Sequence, residues 1–176
     1  MPPKSSYCSY CGHPFAADQL LPLKCTSCGR ISYQNPIPVV VILLPVDEGL
    51  LVVRRGIEPQ KGLLALPGGY INLGESWQEA GAREVWEETG ITLDPGEIRE
   101  FRVCSAPDGM IFVFGLARSR LSTELSAFAP TDETTERIII SGPVELAFPL
   151  NTQVVQEYFR FRDEQTARST WHSQRY

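Results

Sequence analysis

The chain has no long apolar run. Its longest, Ile37 to Val46, is interrupted by Pro38 and Pro45, and it falls short of the ~20 residues a bilayer-spanning helix needs, so no membrane partner is expected. Basic residues are in deficit, with 16 Lys and Arg against 21 Asp and Glu and a net charge of −5. Broad, sequence-independent nucleic-acid binding draws on clustered cations. The acidic balance weighs against it, though not against a short phosphorylated ligand held in a local basic pocket. No apolar stretch marks a secretory leader at the N-terminus, so a cytosolic protein is expected. No internal repeat is visible. What is present is ordinary for a globular chain: 43% hydrophobic and 21% charged residues over 176 positions, enough for one buried core and a small appendage.

Four of the five cysteines fall within the first 28 residues, as Cys8-x2-Cys11 and Cys25-x2-Cys28, each pair followed by a glycine, Gly12 and Gly29. Two such knuckles read as a tetrahedral four-cysteine zinc site. Disulfides would need an oxidising compartment, for which there is no signal, and a redox C-x-x-C would need only one pair. His13 could replace a ligand but is expected on the surface. A ribbon with so few apolar residues draws its folding energy from the metal. Residues 1–33 carry Lys4, Lys24 and Arg30 against Asp18, which suits a structural or dimer-stabilising role for the ribbon better than nucleic-acid binding. Cys104 stands alone in an expected strand, as a buried, inert thiol.

The chain divides into a disordered N-terminus (1–6), the ribbon (7–33), a connector through Pro36, a main domain (37–163) and a polar tail (164–176). Strands are expected at Val39–Val46, Leu50–Arg54, Leu63–Leu66, Ile98–Cys104, Met110–Ala117 and Arg137–Ile140, with a loop over Ala127–Thr135. A helix is expected over Glu75–Thr89, stopped by Gly90, and a second from Asn151, as its N-cap, to about Asp163. Mixed strands with helices on opposite sides give an α/β sandwich. Tyr33, Phe112 and Phe114 are expected to pack in the core rather than stack on a base.

The first helix carries an electrostatic anomaly. Glu84, Glu87 and Glu88 lie near its C-terminal end, where negative charge opposes the helix dipole and like charges at i,i+4 cost roughly 0.2–0.5 kcal/mol. An α-helix advances about 100° per residue. Taking Glu84 as zero, Glu88 falls at about 40° and Glu87 at about −60°, so the three share one face, with Ala80 and Gly81 on that side leaving room for ions and phosphates. Trp86 falls at about 200° and is expected in the core. Oxygen-only ligands suit Mg²⁺ or Mn²⁺, and a bound cation would remove both penalties. Pro67-Gly68-Gly69 precedes the helix and lets the backbone approach a ligand closely. The alternative is a solvated acidic helix with a glycine cap.

The run from Gly69 to Ile91 resembles the Nudix hydrolase signature. It fills every specified position: Gly69, Glu75, Arg83, Glu84, Val85, Glu87, Glu88, Gly90 and Ile91. The resemblance implies the Nudix α/β/α sandwich with a mixed sheet, and a metal-dependent pyrophosphohydrolase acting on a nucleoside diphosphate joined to another group. Glu84, Glu87 and Glu88 would hold Mg²⁺ or Mn²⁺ with the Gly69 carbonyl. Arg83 would pair with Glu75 and orient the cluster, and Glu84 would take the proton, with Glu136 as second choice. Nudix enzymes commonly add an acidic residue from a later loop or strand. Here Glu136 is the first choice and Glu133 the second. Arg54 and Arg55 end a strand beside the signature loop. Because strand side chains alternate, at most one reaches a substrate phosphate, with Gly68 and Gly69 as further substrate contacts.

Ser105-Ala106-Pro107 keeps only part of a longer motif found in zinc-ribbon NADH pyrophosphatases, which shifts the expected substrate toward FAD, ADP-ribose or a similar dinucleotide. A plain β-turn at Pro107-Asp108-Gly109 explains the same residues. Two other functions remain in view: a non-catalytic nucleotide-sensing protein, and RNA 5′-end cap processing. The resemblance also allows a homodimer.

Overall fold

The computed structural model describes residues 6–173. Residues 1–5 of the expected disordered N-terminus and 174–176 of the expected tail lie outside it. The contacts divide the chain into two compact units, one ending at Ile37 and one beginning at Pro38. The first contains β1 (Leu23–Lys24) and β2 (Ile31–Ser32), paired antiparallel. Tyr33 is exposed, not packed as expected.

The second unit contains β3 (Ile37–Leu43), β4 (Pro45–Val46), β5 (Gly49–Arg55), β6 (Leu64–Ala65), β7 (Gly68–Tyr70), α1 (Trp77–Thr89), β8 (Ile98–Ser105), β9 (Met110–Ala117), β10 (Thr134–Ile140) and α2 (Pro149–Ser173). One sheet runs in the order β7-β3-β9-β8. The other runs β10-β5-β4, with β6 also on β5. The single strand expected over Val39–Val46 is two, because the chain changes sheets at Leu44. Pro45 has no N–H to continue a ladder, and β4 pairs instead with β5.

Alternation along the strands builds two cores. Val39, Val41 and Leu43 of β3 join Leu50 and Val52 of β5, Phe114, and Val154, Val155, Tyr158 and Phe159 of α2. Val40 and Ile42 join Leu51 and Val53, and Ala80 and Val85 of α1. The two helices therefore cover opposite strand faces, which is the expected α/β architecture. Among the described residues no helix is long and apolar enough to cross a membrane.

Several local expectations are corrected. Helix α1 begins at Trp77, because Ser76 is its N-cap and forms a capping box with Glu79. Glu75 therefore precedes the helix. Ala80 and Gly81 face the sheet, not an ion. A Cβ on Gly81 would stand 2.5 Å from Ile42 Cδ1, so small residues there let helix and sheet approach closely. Trp86 is 57% exposed, on the outer side of the helix. Helix α2 starts at Pro149, whose missing N–H costs nothing at a first helical position. Asn151 is buried within its first turn. The backbone of α2 continues to Ser173, through most of the expected tail. Thr134 and Thr135 belong to β10, not to a loop. Phe114 is buried and Phe112 half-buried, as expected of packing residues, while Cys104 is only half-buried.

Candidate active site

The turn before α1 and the last two turns of α1 meet with no space to spare. Strand β7 pairs with β3, with Gly69 opposite Val40 and Gly68 opposite Val41. A Cβ on Gly68 would stand 2.3 Å from the Val40 carbonyl oxygen. One on Gly69 would stand 2.3–2.7 Å from the Glu84 carboxylate. Gly68 is therefore required by its close approach to backbone, while the space a side chain at Gly69 would fill is occupied by the movable end of Glu84. The Gly68 N–H donates to Glu88 Oε2 at 3.2 Å.

Arg83 organises the acidic face. Its Nε and Nη2 donate to the two oxygens of Glu75 at 3.1 and 2.8 Å. Nη1 donates to Glu84 at 2.7 Å and Glu87 at 3.2 Å, and Nη2 reaches the Tyr70 carbonyl at 2.9 Å. Such a fork suits guanidinium and not ammonium. The Arg83 guanidinium holds the Glu75 carboxyl below its usual range, helped by the Asn72 amide. The expected pairing of Glu75 with Arg83 is present, although it is made from the loop and not from two turns down the helix.

Glu84 and Glu88 are half-buried and shifted the other way. Burial raises Glu84 against the opposing pull of Arg83, and the charges of Glu87 and Glu133 add to the rise. Glu88 is pushed up to about 8, by burial first and the Glu84 charge second, against the Gly68 amide and Arg55; Glu133 also raises it. Glu87 is more exposed than either. Desolvated, mutually repelling carboxylates on a tight glycine turn suit a hard divalent cation, which needs oxygen donors and offsets their charge. Their oxygens are not gathered as tightly as the cysteines. Among the described residues, the four cysteines are the one group whose ligand atoms all lie within 4.8 Å of one another, while Glu84 and Glu87 are turned to Arg83 Nη1 and Glu88 to the Gly68 N–H.

The two candidates for a further acid separate. Glu136 pairs directly across the strands with Arg54, and Arg54 Nε donates to it at 2.7 Å. Arg54 also donates to the Gly62 carbonyl at 2.9 Å. Arg54 and Glu136 form a surface ion pair. Glu133, the second choice, is the one whose charge bears on Glu84 and Glu88. Its carbonyl accepts from the Gly56 N–H at 2.7 Å, and Gly56 permits this because a Cβ there would meet the Asp132 carbonyl oxygen at 2.2 Å. Arg55 is on the Glu88 side, its Nε donating to the Pro59 carbonyl at 2.8 Å and its guanidinium 5.1 Å from the Phe148 ring centre. The register irregularity between Thr134 and Glu136 cannot be counted from sequence, so sequence alone ranks Glu133 second.

In the first unit, the two knuckles repeat one geometry. The Cys8 and Cys25 carbonyls accept from Gly12 and Gly29 N–H, each at 2.9 Å, and both glycines are left-handed, with φ of 73° and 74°. The sulfurs of Cys8 and Cys28 are 3.7 Å apart, and those of Cys11 and Cys25 3.6 Å. Four thiolates about 2.3 Å from a tetrahedral ion stand about 3.8 Å apart, so the set fits such an ion. The Tyr10 amide pulls the Cys8 thiol down to about 6 and the Cys28 amide lowers Cys25, while Cys11, against the His13 amide, is pushed up to about 12 by burial and the three neighbouring cysteines. His13 is outside the cluster.

Comparison with known proteins points to one family. An ADP-ribose pyrophosphatase of Methanocaldococcus jannaschii is 30% identical over 135 residues, covering 74% of this chain and 78% of its own. An NAD-capped RNA hydrolase NudC of Edwardsiella ictaluri is 30% identical over 88 residues, covering 49% of this chain. The chain spans only 34% of that relative's length. A Nudix hydrolase crystal structure from Nitrosomonas europaea superposes with a TM-score of 0.76 at 26% identity, over 90% of this chain and 93% of the other. A bifunctional NMN adenylyltransferase/ADP-ribose pyrophosphatase from Francisella tularensis, solved with AMP and a manganese ion, gives 0.54 at 26% identity, over 70% and 37%. The family model described as the NUDIX domain matches residues 35–138, and the chain belongs to the Nudix family.

Proposed function

We propose that the protein is a divalent-cation-dependent pyrophosphohydrolase that cleaves the diphosphate of a nucleoside diphosphate joined to another group, with ADP-ribose, FAD and NADH as first candidates. The reading rests on one observation above the others: Glu84 and Glu88 are drawn out of water onto a glycine turn, where Glu84 lies in the space left by Gly69 and the Gly68 N–H donates to Glu88. Magnesium or manganese held there would polarise the phosphoanhydride and lower the pKa of a nearby water.

This chain's residues do the rest by position and charge. Glu84, Glu87 and Glu88 supply oxygens, with the Gly69 carbonyl beside them. Glu133 takes the part expected of Glu136. Arg83 orients Glu84 and Glu87 while neutralised by Glu75. Arg55 is the first candidate to face a phosphate, because its charge bears on Glu88, while Arg54 is ion-paired to Glu136. Glu84 is the carboxylate assigned to take the proton from water. The four-cysteine cluster holds structural Zn²⁺, in a cytosolic setting that keeps thiols reduced.

The test is incubation with Mg²⁺ and each dinucleotide, with identification of the products. Water attack on phosphorus releases two monophosphates, AMP with ribose phosphate from ADP-ribose or AMP with FMN from FAD. Glu88→Gln should lower kcat by at least about 100-fold, the scale of removing one group from a preorganised charge-stabilising site, with the fold retained by circular dichroism. Near-normal turnover in that variant would refute the assignment. The names of the NudC relatives favour a second reading, removal of a dinucleotide cap from RNA. Binding of capped RNA that weakens steeply with salt would support it.

A further inference from the structure

The last turn of α1 contains no basic residue of its own, although it carries Glu87 and Glu88 and the negative end of the helix dipole. A cation reaches it from elsewhere. Arg137, in the middle of β10, donates through Nη1 to the Thr89 carbonyl at 2.9 Å and through Nη2 to the Ser126 carbonyl at 2.6 Å. Ser126 in turn donates its hydroxyl to the Gly90 carbonyl at 3.2 Å. The guanidinium also lies 5.6 Å from the ring centre of Phe128. Among the described residues no carboxylate pairs with it, and burial lowers its affinity for the proton.

A partly desolvated cation facing two carbonyls and an aromatic ring, with no carboxylate, is expensive if packing is the sole purpose, since an apolar side chain fills space without that cost. Its two acceptors explain the choice. One is the end of the helix that carries Glu84 and Glu88. The other begins the segment that leads to Glu133. The far end of that segment is fixed separately, by the Gly56 N–H on the Glu133 carbonyl and by Thr131 and Thr134 bonded to each other at 2.8 and 3.0 Å. A carboxylate in place of the carbonyls would add negative charge beside an already acidic face, and a lysine could not span both acceptors with a planar fork.

We propose that Arg137 is a positioning residue: by clamping Ser126 to the C-terminal carbonyl of α1, it holds the loop that carries Glu133 at the distance from Glu84 and Glu88 that cation binding requires. This rests on the functional reading above for the role of Glu133, but its test needs no turnover.

Mn²⁺ alone is titrated against the zinc-loaded full chain and against Arg137→Met, Arg137→Lys, Glu133→Gln and the double variant that combines Arg137→Met with Glu133→Gln, alongside backbone hydrogen exchange. Arg137→Met should weaken Mn²⁺ about tenfold, as loss of a residue supporting metal ligands does, and should speed exchange across residues 126–133 while sparing β5. Arg137→Lys should fall between, and it carries the comparison if the methionine variant does not fold. The double variant should bind no more weakly than Glu133→Gln alone, because both changes remove one contribution. Unchanged Mn²⁺ affinity with a lower Tm would reduce Arg137 to a stabilising residue and overturn the proposal. So would losses that multiply in the double variant, or wild-type affinity in Glu133→Gln. Absence of hydrolysis with all these results intact would sink the functional reading and leave this one standing.

Discussion

Glu88 is the side chain whose ionisation the fold opposes most within the site. Its folded pKa of about 8 lies above the ordinary 4.5, so the folded chain holds that proton more tightly than the unfolded chain. The associated stability is full below the ordinary value and is lost as pH rises through about 8. Glu84 is raised too and has the same sign. Glu75, Glu79 and Glu97 are lowered, and their contributions change only in more acidic solution. In chelator, the Tm of the wild-type protein should therefore decline between about pH 5 and pH 8. Glu88→Gln cannot ionise and should show a flatter profile. Parallel profiles in thermal melts would show that Glu88 is not the group responsible. The trio Glu84, Glu87 and Glu88 is legible in the sequence because helical spacing fixes which side chains share a face. The further acid is not, because the choice between Glu133, just before β10, and Glu136, within it, depends on strand register. Glu136 lies within the strand, where its neighbour across the ladder is Arg54 of β5, with which it forms an ion pair.

At the scale of elements, helix α1 is defined at its ends more sharply than its composition suggests. Ser76 and Glu79 satisfy each other's backbone N–H at the start, and Gly90 ends it at φ 72°. Both signals stand in the sequence, yet a start at Glu75 overlooks the capping box and begins the helix one residue before its cap. The inner face is legible as small, but its purpose is packing and not room for ions. Gly81 meets Ile42 and Val40 of β3, so the missing side chain sets the distance between helix and sheet, and through it where Glu84 comes to rest over Gly69. Gly81→Val should cost about 1–3 kcal/mol, the usual cost of forcing extra carbons into a packed core, read as a lower midpoint in urea. It should also weaken Mn²⁺ binding, since the carboxylates move with the helix. A variant as stable as wild type would show that Ile42 yields without displacing α1. Angular position alone sends Trp86 inward, but the buried stripe of α1 is already filled by Ala80, Gly81, Val85 and Thr89, which leaves no inward place for an indole.

At the scale of the whole molecule, the two units are stabilised by different means. The second unit has two apolar clusters built from strand alternation. In the first, among described residues, the buried apolar side chains are Cys8, Leu23 and Cys25. One leucine and two cysteines are far too little apolar surface to offset the ordering of some thirty residues, at roughly 25 cal/mol per Å² buried. The four sulfurs are gathered closely enough to hold a metal ion, whose binding free energy would become folding free energy. The C-x2-C spacing makes this unit the most legible part of the chain, since ligand type and number do not depend on long-range register. Protein purified under reducing conditions should contain one tightly held zinc per chain by elemental analysis. Displacing it with a mercurial should release that zinc and expose backbone amides of residues 7–33 to rapid exchange. The amides of β3 and β5 should stay protected, because the apolar clusters that hold them contain no cysteine ligand. Protein that lacks zinc yet keeps slow exchange in the knuckles would mean that hydrogen bonds alone hold the ribbon. Collapse of protection in β5 on zinc loss would mean that the second unit relies on the first for its stability.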